Sequence, residues 1–123
     1  MVQKGLTKFK ESIKQLEEAI RFYFHESDAS EKMRFLAVAK AYEVAVEYVW
    51  KYLKARVEAE NIEVTSPKEA IRQAAQLKFI DGPAIWLKYL EVRNSGVHDY
   101  FGIPDAEYVL LAQSFLKRCQ KIN

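Results

Sequence analysis

The sequence predicts an all-α fold, an antiparallel four-helix up-and-down bundle with one additional short helix. Apolar residues recur at steps of three and four, which is the spacing of one helix face. The chain has only four glycines and three prolines among 123 residues, so few turns are available and long helices are favoured. No segment reads as a β-strand. At this length we expect a single domain over residues 1–123.

The composition of the chain limits which partners and which cellular compartment are expected. Nineteen basic and 17 acidic side chains leave a net charge of +2, so any contact with RNA must be local. The single cysteine, Cys119, cannot form an internal disulfide. The polar N-terminus does not resemble a signal peptide, and no apolar run approaches the roughly 20 residues that span a bilayer. We therefore expect a cytoplasmic protein with no membrane contact.

The first two helices are predicted to pair as long walls of the bundle. The first ends around residues 24–27, and the second covers about residues 30–60, after a D-x-x-E capping signal at Asp28 and Glu31. Asn61 is a plausible left-handed stop. The second helix is so rich in aromatic residues that bundle neighbours or a second subunit should cover more than one face. The expected apolar residues are Leu6, Phe9, Ile13, Leu16, Ile20 and Tyr23, then Met33, Leu36, Tyr42, Val46, Val49, Trp50, Leu53 and Val57.

Three shorter helices follow. Ser66-Pro67-Lys68-Glu69 is a strong helix start, with a capping box and proline at the first helical position, and this helix should end near Phe79. The next begins at Asp81-Gly82-Pro83, and the last covers about residues 105–121. Their expected buried residues are Ile85, Trp86, Tyr89, Leu90 and Val97, then Tyr108, Leu111, Phe115 and either Leu110 or Cys119.

One segment, residues 91–100, concentrates groups that could carry chemistry. It contains Arg93, Asn94, His98, Asp99 and Tyr100 at the end of a helix. On a straight helix, positions five residues apart differ by about 140° around the axis, so Arg93 and His98 would not face each other. Either Gly96 loosens or ends the helix, or a two-fold axis sets Arg93 of one subunit against His98 of another.

An arginine beside a histidine suits phosphodiester cleavage without a metal ion. The imidazole can accept or donate a proton near neutral pH, and the guanidinium can stabilise charge on phosphoryl oxygens. The alternative is that these groups only cap helix carbonyls and form surface ion pairs. Trp50 and Trp86 are expected to be core or interface anchors, His25 a surface residue and Cys119 a packing group. The sequence shows no pattern of metal-ligand spacing.

Several segments together resemble a known family. Arg93-Asn94-x-x-x-His98-x-Tyr100 is similar to the R-x4-H-x-Y motif of HepT-like toxins in the HEPN superfamily, also called nucleotidyltransferase substrate-binding proteins. The resemblance extends over about residues 43–100. It includes the segments Glu47-Tyr48-Val49-Trp50-Lys51-Tyr52-Leu53-Lys54, Ser66-Pro67-Lys68-Glu69-Ala70-Ile71-Arg72-Gln73-Ala74 and Trp86-Leu87-x-x-Leu90. The spacer Ser95-Gly96-Val97 departs from the family's Leu-Thr-Ser-like residues.

This resemblance implies a homodimer or higher oligomer with a composite cleft and no cofactor or metal. It implies that Arg93 and His98 are the catalytic residues of a metal-independent endoribonuclease, with Asn94 as the supporting polar residue. It further implies an RNA substrate and a partner nucleotidyltransferase of the MNT type, an antitoxin that adenylylates Tyr100. Two alternatives stay open: a non-catalytic substrate-binding subunit of the nucleotidyltransferase, and a plain helical adaptor.

Overall fold

Five helices make up the regular structure of the described residues. A computed structural model describes residues 2–25, 28–98 and 103–122, with the backbone alone for residue 2 and residues 95–98. The predicted all-α fold, with four longer helices and one short one, is confirmed. In chain order the helices are α1 (Val2–His25), α2 (Glu31–Glu58), α3 (Pro67–Gln76), α4 (Pro83–His98) and α5 (Asp105–Cys119).

Helix α2 is the central element of the bundle, because it packs against each of the other four helices. Helix α1 lies against α2 and α5, and the short α3 lies against α2 and α4. Of the apolar residues expected in α1, Phe9, Leu16 and Ile20 are buried, whereas Leu6 and Ile13 are half-buried. Among the described helices, none is long and apolar enough to cross a bilayer.

An aromatic cluster joins α2, α4 and α5 at the centre of the core. It consists of Tyr42, Trp86, Tyr89, Tyr108 and Phe115, whose ring centroids lie 5.2 to 6.0 Å apart in edge-to-face pairs. The Tyr42 hydroxyl donates to the backbone oxygen of Tyr89 over 2.7 Å. The Tyr89 hydroxyl shares a 2.6 Å hydrogen bond with Ser114 Oγ. These bonds set the position of α4 relative to its neighbours.

A polar junction holds the start of α4. The indole N–H of Trp86 donates to Asp81 Oδ1 over 2.8 Å, and Arg118 of α5 donates to Asp81 Oδ2. The Trp86 hydrogen bond, followed by the nearby Arg118 charge, lowers the pKa of Asp81 below its usual value. Asp81 therefore links the start of α4 to the last turn of α5.

The helix ends follow local chemistry, with two differences from the predictions. Ser30, rather than Asp28, is the N-cap of α2, and its hydroxyl accepts from the Met33 N–H over 3.1 Å. Asn61 has a φ of 65°, which confirms the predicted left-handed stop. Helix α3 ends at Gln76 rather than near Phe79, because Lys78 also adopts a φ of 65°. The N–H of Phe79 then bonds to the Ala74 oxygen, closing a Schellman motif.

Two predicted core residues are exposed. Met33 is 61% exposed and Leu36 37% exposed, whereas the predicted residues Tyr42, Val46, Val49, Leu53 and Val57 are buried on a stripe that begins at Phe35. Position 33 lies about 200° around the helix from position 35, so Met33 cannot share that stripe. Of the two alternatives in α5, Cys119 is buried and Leu110 is exposed. The side chain of Val97 lies outside the described residues.

Candidate functional site

Helix α4 presents Arg93 and Asn94 immediately after its most deeply packed stretch. Leu90 and Val92 are buried, which turns Arg93 toward the surface between α2 and α4. Its side chain is 29% exposed, and Asn94 beside it is exposed. Because the tyrosine bonds described above hold α4 to α2 and α5, the backbone at Arg93 has a defined place in the bundle.

The Arg93 guanidinium is held loosely. Nη2 lies 3.4 Å from Glu47 Oε2, and Nη1 donates to Asn94 Oδ1 over 3.3 Å. Both bonds are longer than the common N–H···O distance of about 2.9–3.0 Å. Nε is buried and has no hydrogen-bond partner among the described residues. Each Nη atom also keeps a second hydrogen, so the planar guanidinium is suited to bind phosphoryl oxygens at its exposed edge.

Glu47 of α2 connects three side chains at this site. Its Oε2 atom accepts from the Trp50 indole N–H over 2.9 Å and from Arg93, while Oε1 lies 3.6 Å from Lys51 Nζ. Residues three and four positions apart share a helix face, which places Trp50 and Lys51 within reach of Glu47. The carboxylate therefore fixes the edge of the Trp50 ring and also pairs with the α4 guanidinium.

A cleft of about 410 Å³ opens beside this network. Its walls come from α2, from the start of α3 and from α4; the lining residues are Glu47, Trp50, Ser66, Pro67, Lys68, Leu90, Arg93 and Asn94. The predicted cap at Ser66 is confirmed, since its Oγ accepts from the Glu69 N–H over 3.1 Å. The ionisable lining groups are two cations, Arg93 and Lys68, and one anion, Glu47, so the cleft favours an anionic ligand.

The structure brings together only part of the predicted site. Arg93 and Asn94 lie in the cleft, whereas the His98 side chain and the whole of Asp99 and Tyr100 lie outside the described residues. The α4 backbone is helical through Gly96 to His98, so the alternative in which Gly96 ends the helix is wrong. Positions 93 and 98 are thus about 140° apart around one helix axis.

Sequence reasoning missed the residues that complete the cleft. Glu47 and Lys68 were noted only as parts of the family resemblance, and Trp50 was expected to be a core or interface anchor. Trp50 is half-buried, packs against the core and also lines the cleft. Trp86 is 2% exposed and belongs to the aromatic core. The i, i+3, i+4 spacing of Glu47, Trp50 and Lys51 could have predicted that these three side chains lie together on one face of α2.

The remaining candidate groups lie elsewhere. Burial raises the pKa of the Cys119 thiol well above its usual value, and this residue packs in the core as predicted. His25 is exposed at the end of α1, also as predicted. Within the part of the chain that the structure describes, no group of three or more His, Cys, Asp and Glu side chains could hold a metal ion.

A comparison with known protein families supports the family resemblance described from the sequence. A family model described as "Nucleotidyltransferase substrate binding protein like" matches residues 4–123, nearly the whole chain. No curated protein matches the sequence.

Proposed function

Because the chain belongs to the family of nucleotidyltransferase substrate binding protein like chains, we propose that it is the HepT-like toxin of a HEPN/MNT module. In this proposal it is an endoribonuclease that requires no metal or other cofactor, and a partner nucleotidyltransferase of the MNT type neutralises it. The observation that carries the proposal is the Arg93 guanidinium, which lies at a cleft with two long hydrogen bonds and an unpartnered Nε.

The proposed reaction uses the RNA's own nucleophile. The ribose 2′-oxygen attacks the adjacent phosphorus as its proton passes to a base, and the bond to the 5′-oxygen of the next nucleotide breaks as that oxygen gains a proton. His98 is the residue proposed for proton transfer, because an imidazole exchanges protons near neutral pH. Arg93 stabilises the negative charge on the phosphoryl oxygens, with Asn94 as the supporting polar group.

The site is proposed to form from two copies of the chain. Since the α4 backbone is helical through residue 98, positions 93 and 98 of one chain lie about 140° apart around the helix axis. A two-fold axis would set Arg93 of one copy against His98 of the other. Tyr100, two residues after His98, is the proposed site at which the partner attaches an adenylyl group and so silences the enzyme.

Cleavage of a mixed RNA in EDTA by the purified, unmodified protein tests the proposal. The wild type should cleave, and Arg93→Ala and His98→Ala should lose about 10²- to 10⁴-fold in rate. His25→Ala is the matched control, because it removes the chain's other histidine from an exposed position. A wild type with no mass adduct on Tyr100 and no cleavage activity would contradict the proposal.

Mixing two inactive variants tests the shared site. If Arg93 and His98 act across a dimer, mixed Arg93→Ala and His98→Ala chains form one intact site per heterodimer, and partial activity returns. If both residues act from the same chain, mixing restores nothing. Sedimentation of the wild type at micromolar concentration provides the control, because a strict monomer would rule out a composite site.

A second candidate is a non-catalytic subunit that binds substrate for the nucleotidyltransferase. The description of the matching family favours it. Here Arg93 would bind the phosphate of a nucleotide without cleaving RNA. Nucleotide affinity that falls in Arg93→Ala, together with no nuclease activity in any form of the protein, would favour this candidate over the toxin.

A further inference from the structure

We propose that the cleft beside Arg93 is a subsite for one nucleotide of single-stranded RNA, with the base stacked on Trp50 and a phosphate bound by Lys68 and Arg93. This inference rests on the proposed function, because it specifies how the RNA is held next to the reacting phosphate. It assigns to Trp50 and Lys68 a binding role that the R-x4-H motif does not include.

The cleft has the size and walls of a small-ligand site. Its volume of about 410 Å³ lies in the lower part of the usual range for such sites. Pro67 and Leu90 provide apolar surface, and the ionisable groups lie around it. One nucleotide needs this combination, because its base is planar and apolar on both faces while its phosphate is charged.

Trp50 packs against the core on one side and lines the cleft on the other, so part of its ring is available for stacking. It is half-buried, and its ring makes no contact with another aromatic ring in the described ranges. Trp86, by contrast, lies 5.5 Å from Tyr89 and 6.0 Å from Phe115 between ring centroids. The bond from the Trp50 N–H to Glu47 holds the indole in one orientation, so little conformational freedom remains to be lost when a base stacks.

Side chains provide the charge that holds the phosphate, because the start of α3 offers few backbone donors. Ser66 Oγ already accepts the Glu69 N–H, and Pro67 has no N–H to donate. The positive charge of the cleft therefore comes from Lys68 and Arg93, against the single carboxylate of Glu47. Lys68 is exposed, which leaves its ammonium group free to move toward a phosphate.

Binding of a non-cleavable RNA tests this inference separately from catalysis. The probe is a labelled 2′-O-methyl hexanucleotide, whose blocked 2′-oxygen cannot attack, and affinity is read by fluorescence anisotropy at low salt. Trp50→Phe and Trp50→Leu both lose the bond to Glu47, but only the phenylalanine keeps an aromatic face. We expect Trp50→Phe to bind within about threefold of wild type and Trp50→Leu to bind about tenfold more weakly.

Lys68 has a matched control on the same helix. Lys68→Ala should weaken binding several-fold and lower its salt dependence, because one phosphate contact is lost. Arg72→Ala removes an equal charge one turn later, at an exposed position outside the cleft, and should bind as the wild type does. Circular dichroism of each variant confirms that it is folded.

The outcomes separate the inference from the proposed function. Equal affinities of Trp50→Phe and Trp50→Leu, equal affinities of Lys68→Ala and Arg72→Ala, or no binding of the probe by the wild type would each overturn the subsite. Binding with the expected pattern but no cleavage of ordinary RNA would support the subsite and contradict the nuclease. Cleavage of RNA by the wild type, together with equal probe affinities of the two Trp50 variants, would support the nuclease and contradict the subsite.

Discussion

Replacing Glu47 with glutamine should strengthen phosphate binding at Arg93. Oε2 of Glu47 accepts from both the Trp50 N–H and Arg93 Nη2, and Oε1 lies near the exposed Lys51. In Glu47→Gln, the amide oxygen can take the place of Oε2 and keep the Trp50 bond, while the amide nitrogen faces Lys51. The substitution therefore removes the negative charge that competes with a bound phosphate and leaves the ring in position.

The size of the effect follows from the geometry of the ion pair. The two side chains are 29% and 32% exposed and their closest atoms are 3.4 Å apart. Ion pairs with this access to solvent contribute about 0.2–1 kcal/mol. Since a phosphate at Arg93 must displace the pair, its loss should raise affinity for the 2′-O-methyl hexanucleotide by up to about fivefold. The gain should shrink as salt is added, because screening weakens the competition.

Anisotropy titrations of the wild type and Glu47→Gln at two salt concentrations provide the measurement. Glu63→Gln is the charge-matched control, because Glu63 is exposed in the link before α3 and does not line the cleft. A lower affinity in Glu47→Gln would refute the reasoning. It would mean that the carboxylate serves mainly to hold Arg93 in its binding orientation.

Two further predictions concern the elements that position α4. Tyr42→Phe removes the 2.7 Å hydrogen bond to the Tyr89 oxygen and should lower the free energy of unfolding by about 1 kcal/mol in urea titration, and an unchanged midpoint would contradict this. The pKa of Asp81 is lowered by the Trp86 hydrogen bond and the Arg118 charge, so its contribution to stability is complete above about pH 4 and is lost as the pH falls further. Thermal unfolding of Asp81→Asn should therefore depend less on pH between about 4 and 2 than that of the wild type, and parallel curves would show that the junction adds nothing.

The parts of the fold set by local chemistry were predictable, and the parts set by neighbouring helices were not. Ser66 and Pro67 specify the start of α3 by capping and by a fixed φ, and the structure agrees there. The end of α3 was missed because Lys78 adopts a left-handed conformation that usually falls to glycine. Met33 was predicted to be buried because it is apolar, but the neighbouring helices cover the face of α2 that begins at Phe35 and leave Met33 exposed.

The same division applies to the candidate site. Arg93 and Asn94, which line the cleft, could be proposed from the sequence because their motif lies within one short segment. The contact between Glu47 and Arg93 joins residues 46 positions apart on two helices, and no spacing rule within a single sequence encodes such a pair. Trp50 packs against the core, in line with its prediction as an anchor, but its place in the cleft depends on residues of α3 and α4 that are distant in sequence.

The central place of α2 has a consequence for comparing related sequences. Helix α2 packs against four other helices, so most substitutions in it disturb one of those interfaces. It should therefore tolerate few substitutions, independent of the protein's function. Helix α1 is buried along one face, which includes Phe9, Leu16 and Ile20, so its exposed positions outside that face should vary freely. Relatives that have lost activity should therefore still preserve much of α2, including residues near Glu47 and Trp50. Under the proposed function, divergence at Arg93 and Lys68, which lie on the rim of the bundle, is the better record of a change in function.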